Sequence, residues 1–302
     1  MTDARTIPAS EPMAIDWIAL GAALVTVVLW ASAFVGIRAV ADDLSPGGLA
    51  VGRLLVGSVA LGIVVALRRP AWPSRRDLAW IVACGLVWFA AYNVALNAAE
   101  QLVDAGTAAM LVNVGPILIA IFAGLFLAEG FPPRLVVGSA VAFGGTVVIG
   151  LATGAASVDS AAPIGIVLCL VAALAYAAGV TIQKPVLRRV SALQLTWLAC
   201  CVGAIATLPF VPQLIGDLGD APASSIGWLV YLGVFPTAVA FTTWAFALNR
   251  TSAGRLGSTT YLVPPLAILM AWLILAEVPP LLAIAGGTLC IGGVIIARSR
   301  GR

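Results

Sequence analysis

The sequence predicts an all-α polytopic membrane protein. Ten transmembrane helices form two inverted five-helix repeats, with the N- and C-termini both cytoplasmic. Three observations carry this. Of 302 residues, 62% are hydrophobic and 10% are charged, against about 25% charged in a typical soluble domain. Basic residues fall on alternate loops. The chain also resembles itself when shifted by 148 positions.

Composition excludes several classes at once. A soluble core of this size needs a charged shell, and 16 basic and 13 acidic residues cannot provide one. A net charge of +3, scattered along the chain, does not suit a polyanionic partner such as nucleic acid. Histidine is absent, which removes His-based triads, HExxH zinc sites and His haem ligation. Cys84, Cys169, Cys200, Cys201 and Cys290 each sit in an apolar run and form no CxxC, so they read as small buried residues. No cofactor or metal is called for. The expected partners are the lipid bilayer and a small-molecule substrate.

A helix crossing the hydrocarbon needs about 20 mostly apolar residues. Ten such stretches lie at about 17–39, 46–67, 78–98, 105–127, 134–151, 163–184, 192–212, 226–248, 255–276 and 280–297. They show no strand-like alternation, which excludes an outer-membrane barrel. The first run lacks a cationic leader and follows Asp3, Glu11 and Asp16, so it reads as a retained span. With the N-terminus inside, the inner segments carry Arg5, Arg68, Arg69, Arg75, Arg76, Arg134, Lys184, Arg188, Arg189, Arg250, Arg255, Arg298, Arg300 and Arg302. The outer loops carry no basic residue and hold Asp42, Asp43, Glu100, Asp104, Asp159, Asp217, Asp220 and Glu277. That asymmetry is what the positive-inside rule predicts.

The repeat explains the count. At the 148-residue offset, Trp80 meets Trp228, Ala105-Gly106 meets Ala253-Gly254, and Pro116 meets Pro264. Glu129 meets Glu277, Pro132 meets Pro280, Gly138 meets Gly286, and Gly144-Gly145 meets Gly292-Gly293. An offset of 146 sets Trp30 on Tyr176 and Arg38 on Lys184. Five spans per copy is odd, so the second copy enters from the opposite side. The organisation is a short cytoplasmic segment 1–16, a first repeat 17–151, an outside linker 152–162, a second repeat 163–297 and a basic tail 298–302. Inverted repeats are an architecture of alternating-access carriers, with the substrate at the midplane.

Candidate site residues cluster at that depth. Pro116 and Pro264 lie thirteen residues before the paired glutamates, roughly 20 Å along a helix. Each frees the carbonyl four residues back, on Val112 and Thr260, which suits a hinge that also lines a cavity. Trp88 and Tyr92 share one face of span 3, and Asn113 lies one turn from Pro116. Trp30 with Ser32, Tyr176, Trp244, Thr260 and Tyr261 complete the set, the aromatics as walls able to stack on a substrate or as packing. Arg53 is the costliest charge within a span; it serves a substrate carboxylate or a structural pairing. No Asp, Glu or His occupies a mid-span position, and nothing obvious meets two phosphates. A neutral or zwitterionic substrate fits best. Gly138, Gly145, Gly286 and Gly293 mark spans 5 and 10 for close packing, either bracing the repeats or joining a weak homodimer.

The L-W-A-S-A-F run from Leu29 to Phe34, Arg53 in span 2, and the Pro…Glu…Gly…Gly-Gly string in both halves resemble the EamA family of the drug/metabolite transporter superfamily. The resemblance covers about residues 17–298. It implies a multi-pass protein of a bacterial inner membrane that exports amino acids and related metabolites. The aromatic-rich pocket looks most similar to the family's exporters of aromatic amino acids. A broad efflux carrier for drugs or toxic cations is the alternative within that fold. A channel or an intramembrane enzyme is the alternative outside it, and the catalytic Ser/His, paired-Asp or Asp-rich sets of such enzymes are missing.

Overall fold

In the computed structural model, which describes residues 16–102, 108, 111–152, 162–275 and 280–299, every regular element is helical. Arg5, Asp104, Asp159, Glu277, Arg300 and Arg302, with most of segments 1–16, 152–162 and 298–302, lie outside the described residues. Eleven helices are numbered here: α1 (Trp17–Ala39), α2 (Pro46–Arg68), α3 (Arg75–Ala99), α4 (Gly115–Phe126), α5 (Pro133–Ala152), α6 (Ala162–Val186), α7 (Ala192–Ala206), α8 (Leu208–Asp220), α9 (Ala223–Arg250), α10 (Ala253–Ile274) and α11 (Leu281–Arg298). Eight are long and apolar enough to cross a membrane, and the bent pair α7–α8 makes nine. The apolar α4 is shorter, and most of the residues before it lie outside the described set.

Side-chain distribution is that of a protein in lipid. Val59, Ile63, Leu125, Leu273, Ile284 and Ile295 are exposed on the outer faces of the helices, where a soluble fold would place charge. Capping fixes several helix starts: Asp16, Ser45, Ser74 and Ser191 each accept from a backbone N–H of the first turn.

The seventh apolar stretch is longer than its sequence suggests. The expected span 192–212 bends by 52° after Ala206 and continues to Asp220. Pro209 and Pro212 supply no N–H to the ladder, and Thr207 Oγ1 donates back to Gly203 and Ala204 carbonyls. The bend lays α8 across the start of α2. Asp217 Oδ2 there accepts from the Ser45 N–H at 2.8 Å and from its hydroxyl at 2.6 Å. Gly48 packs against Asp217 and Leu214 with no room for a Cβ. This contact accounts for a glycine at that position.

Packing between the halves mirrors itself. With α1, α2, α3, α4 and α5 equivalent to α6, α7, α9, α10 and α11, the pairs α2–α7, α4–α10 and α5–α11 are self-related. The pair α1–α9 has α3–α6 as its image, and α1–α10 has α4–α6. α5 and α11 form the most extensive pairing. Gly138 abuts Gly293 and Ala297, while Gly145 abuts Gly286 and Cys290, so the two helices run antiparallel with backbones touching. The local geometry repeats too. A π-helical stretch occupies Gly85–Ala91 within α3 and Gly233–Val239 within α9, at the same 148-residue offset. Such stretches recur at functional sites because they free backbone groups and re-aim side chains.

Candidate functional site

The second π-helical stretch places the central charge. Pro236 brings no N–H to it, and the hydroxyl of the next residue, Thr237, donates to the Leu232 carbonyl at 2.8 Å. The same Thr237 oxygen accepts from Arg53 Nε at 3.1 Å. A threonine in the second half thereby holds an arginine in the first. Arg53 is 4% exposed, and no carboxylate among the described residues ion-pairs with it. A guanidinium held in that state is costly unless something else meets it.

Arg53 lines a central cavity together with Trp30, Trp88, Tyr92, Asn113, Pro116, Tyr176 and Thr260. These come from six elements of both halves. The volume open to the centres of water-sized molecules is about 60 Å³, room for roughly four waters. The wall is a packed aromatic set. Trp88 and Tyr176 stack at 5.5 Å with planes 28° apart. Trp30 meets Trp88 at 6.3 Å and Tyr176 at 5.9 Å edge-on, a preferred arrangement of aromatic quadrupoles. The first π-helical stretch contributes Trp88, and Asn93 Nδ2 donates to the Phe89 carbonyl at 2.7 Å inside it.

Both prolines start helical segments after a break. Pro116 follows a turn at Asn113-Val114, and Pro264 follows the 3-10 turn Thr260–Leu262. Val112 and Thr260, the residues four before them, both line the cavity. Tyr176 Oη is buried beside Thr260 and makes no hydrogen bond of normal length.

Four candidates sit elsewhere. Trp244 is fully buried behind Trp30, ring centroids 5.0 Å apart, as backing to the wall. Tyr261 is fully buried against Ala142 and Val294. Ser32 hydrogen-bonds Tyr231 Oη at 2.7 Å on a separate groove. Pro264 lies one residue beyond the cavity-lining Val263. Conversely, Phe241, Phe34 and Val263 line the cavity, and Thr237 positions Arg53; in the sequence they look like ordinary members of apolar runs.

The arginine-rich ends of the helices are tied between the halves. Glu129 accepts from the Ala253 and Gly254 N–H groups at 2.7 and 3.1 Å, capping α10. Asp77 pairs with Arg189, and Asp16 with Arg250 at 3.2 Å. Within the second half, Lys184 Nζ donates to the Leu248 and Thr251 carbonyls at the end of α9. At the opposite end a second cavity of about 320 Å³ is lined by Arg38, Asp42, Asn97 and Glu100 and shares Ile37 with the central one.

A bundle of apolar helices in two related halves, around a polar-and-aromatic cavity, defines a polytopic membrane protein. Residues 17–151 and 163–299 each match the EamA-like transporter family, and the chain belongs to that family. It is therefore a multi-pass transporter of the cell membrane. It is 37% identical over 282 residues to a protein of Streptantibioticus cattleyicolor named "Probable terminal-alkyne amino-acid exporter", covering 93% of this chain and 94% of that one. It is 32% identical over 266 residues to "Uncharacterized transporter YdfC" of Bacillus subtilis, covering 88% and 86%. A solved crystal structure at 20% identity superposes with a TM-score of 0.73, covering 93% of this chain and 96% of that one, and shares the fold.

Proposed function

We propose that the protein exports small zwitterionic amino acids with hydrophobic side chains by alternating access of the central chamber. Ten spans in two oppositely oriented five-helix repeats, with both termini cytoplasmic, carry the motion. The observation behind the substrate class is Arg53: a buried guanidinium with no carboxylate in ion-pair contact among the described residues, sharing a chamber with an aromatic wall. An α-carboxylate matches the guanidinium fork, and the rings take the apolar side chain. The narrow volume favours a small aliphatic side chain over an indole. The related amino-acid exporter supports the same class. A fixed positive charge in the chamber disfavours cationic drugs.

The antiparallel α5–α11 contact supports opposite orientation of the repeats. The ties from Glu129, Asp77 and Asp16 then close the cytoplasmic side, and the second cavity is an outer vestibule. Moving to the other state exchanges the shapes of the halves. The prolines after each break supply the hinge. Pro116→Ala is expected to lower the rate at saturating substrate by about fivefold with little change in Kd; a change confined to Kd would remove the hinge role.

Labelled L-propargylglycine, a terminal-alkyne amino acid, tests the function in liposomes holding the purified protein. Uptake that saturates and accelerates with unlabelled amino acid on the far side is the expected result. Absence of uptake, or flux without saturation, would overturn the proposal.

A further inference from the structure

The outer vestibule holds polar atoms that the fold leaves without partners. Asn97 is 2% exposed; its Nδ2 donates to the Pro46 carbonyl at 3.2 Å, while its Oδ1 meets no donor. Glu100 follows α3 by one residue and lies one helical turn from Asn97, and both line the vestibule. Its Oε1 is buried and likewise meets no donor. Among the described residues no N–H or O–H is turned to these two sequestered acceptor oxygens, which share one wall and suit a cationic donor. Leu96 faces the chamber and Asn97 the vestibule, so a solute leaving past Arg53 next meets these oxygens.

We propose that Glu100 and Asn97 form an ammonium-binding subsite at which a zwitterionic amino acid leaving the chamber exchanges for a proton. The inference rests on the amino-acid reading of the chamber. The exchange balances: the neutral carboxyl of Glu100 gives up its proton to water, and the resulting carboxylate accepts from the substrate ammonium. Net charge at the site falls by one, because the entering zwitterion is neutral as a whole, and Arg53 and Arg38 beside Glu100 offset it. Burial pushes the Glu100 carboxyl up to about 8, against the opposing pull of Arg53 and Arg38, so near neutral pH the empty subsite carries a proton. The charged and titratable groups around it are Arg38 on α1, Asp42 just beyond it, Arg53 on α2 and Tyr92 on α3 itself, with Cys169 on α6 facing Tyr92. The proton carrier thus lies at the mouth of the pathway, which reconciles proton coupling with spans free of mid-membrane carboxylates.

The test uses the full-length protein in weakly buffered detergent with a pH dye, titrated with L-propargylglycine near pH 7. The wild type is expected to release about one proton per molecule bound. Glu100→Gln is expected to bind about tenfold or more weakly, the loss of one charge-assisted bond, and to release none. Glu100→Asp keeps a carboxyl and restores release. Asn97→Leu weakens binding several-fold but still releases the proton, which serves if Glu100→Gln does not fold. Unchanged affinity and unchanged release in Glu100→Gln would overturn the subsite while leaving the amino-acid reading standing. No binding by the wild type would overturn both.

Discussion

Arg53→Met is expected to abolish amino-acid transport and leave the fold at least as stable. The buried guanidinium has one side-chain bond, to Thr237, and no carboxylate partner among the described residues. Removing a charge that is poorly matched in the resting protein relieves desolvation, so thermal stability does not fall. Losing a charge-assisted contact to a substrate carboxylate costs roughly 2–3 kcal/mol, or about 30- to 150-fold in affinity. Arg53→Lys keeps the charge without the fork and falls between the two. Melting temperature and propargylglycine affinity, measured on the same preparation, read both effects. A variant that binds normally, or one that unfolds, would make Arg53 a structural charge.

The second large effect lies far from the chamber. A Cβ at Gly145 would stand 2.5 Å from the Gly286 carbonyl oxygen and 2.7 Å from the Cys290 nitrogen. Those are backbone atoms of α11 and cannot rotate away. The mirrored contact is equally tight, with a Cβ at Gly286 placed 2.6 Å from the Gly145 oxygen. In lipid, close packing rather than hydrophobic burial holds such helices together. Gly145→Val must push α5 and α11 apart, at a cost of about 3 kcal/mol or more. Gly144 has nothing within 4 Å of a Cβ, so Gly144→Val is expected to be neutral. The yield of monodisperse protein and its melting temperature distinguish the neighbours. Equal tolerance at both positions would remove the bracing role of α5–α11.

Much of the architecture is legible because lipid simplifies the code. Nine of the ten apolar stretches meet helices of membrane-crossing length, since in hydrocarbon the backbone has few alternatives. The Pro and Gly correspondences are legible because those residues do backbone work in both halves; Glu129 caps α10, while its counterpart Glu277 lies outside the described residues. The aromatic wall is partly legible: Trp88 and Tyr92 share a face by spacing alone. Which rings face a cavity is not, because that depends on the partner helix. Trp244 backs the wall and Phe241 forms it, three residues apart on α9. The bend after Ala206 is signalled by Pro209 and Pro212, but not the docking of Asp217 on Ser45, a contact 172 residues apart in the chain. The π-helical stretches carry no sequence period of their own. Glu100 reads as one more outer-loop acid, and only the fold buries its oxygen.

On the proposed orientation, the ties and the vestibule give the transport cycle physical content. In that cycle the Glu129 cap on α10 and the Asp77–Arg189 and Asp16–Arg250 pairs must separate for the chamber to open to the cytoplasm. The two Asp–Arg pairs have exposed arginines and are individually weak, which suits contacts that break on every cycle.

Opposed orientation of the repeats underlies the chamber, the cytoplasmic ties and the vestibule alike. Arg76 and Ser224 are equivalent at the 148-residue offset, and both are exposed. Single cysteines introduced there, Arg76→Cys and Ser224→Cys, can be probed with an impermeant maleimide in intact cells and in inverted vesicles. The prediction is labelling of position 224 from outside and of position 76 from the cytoplasm. Labelling of both from the same face would contradict it.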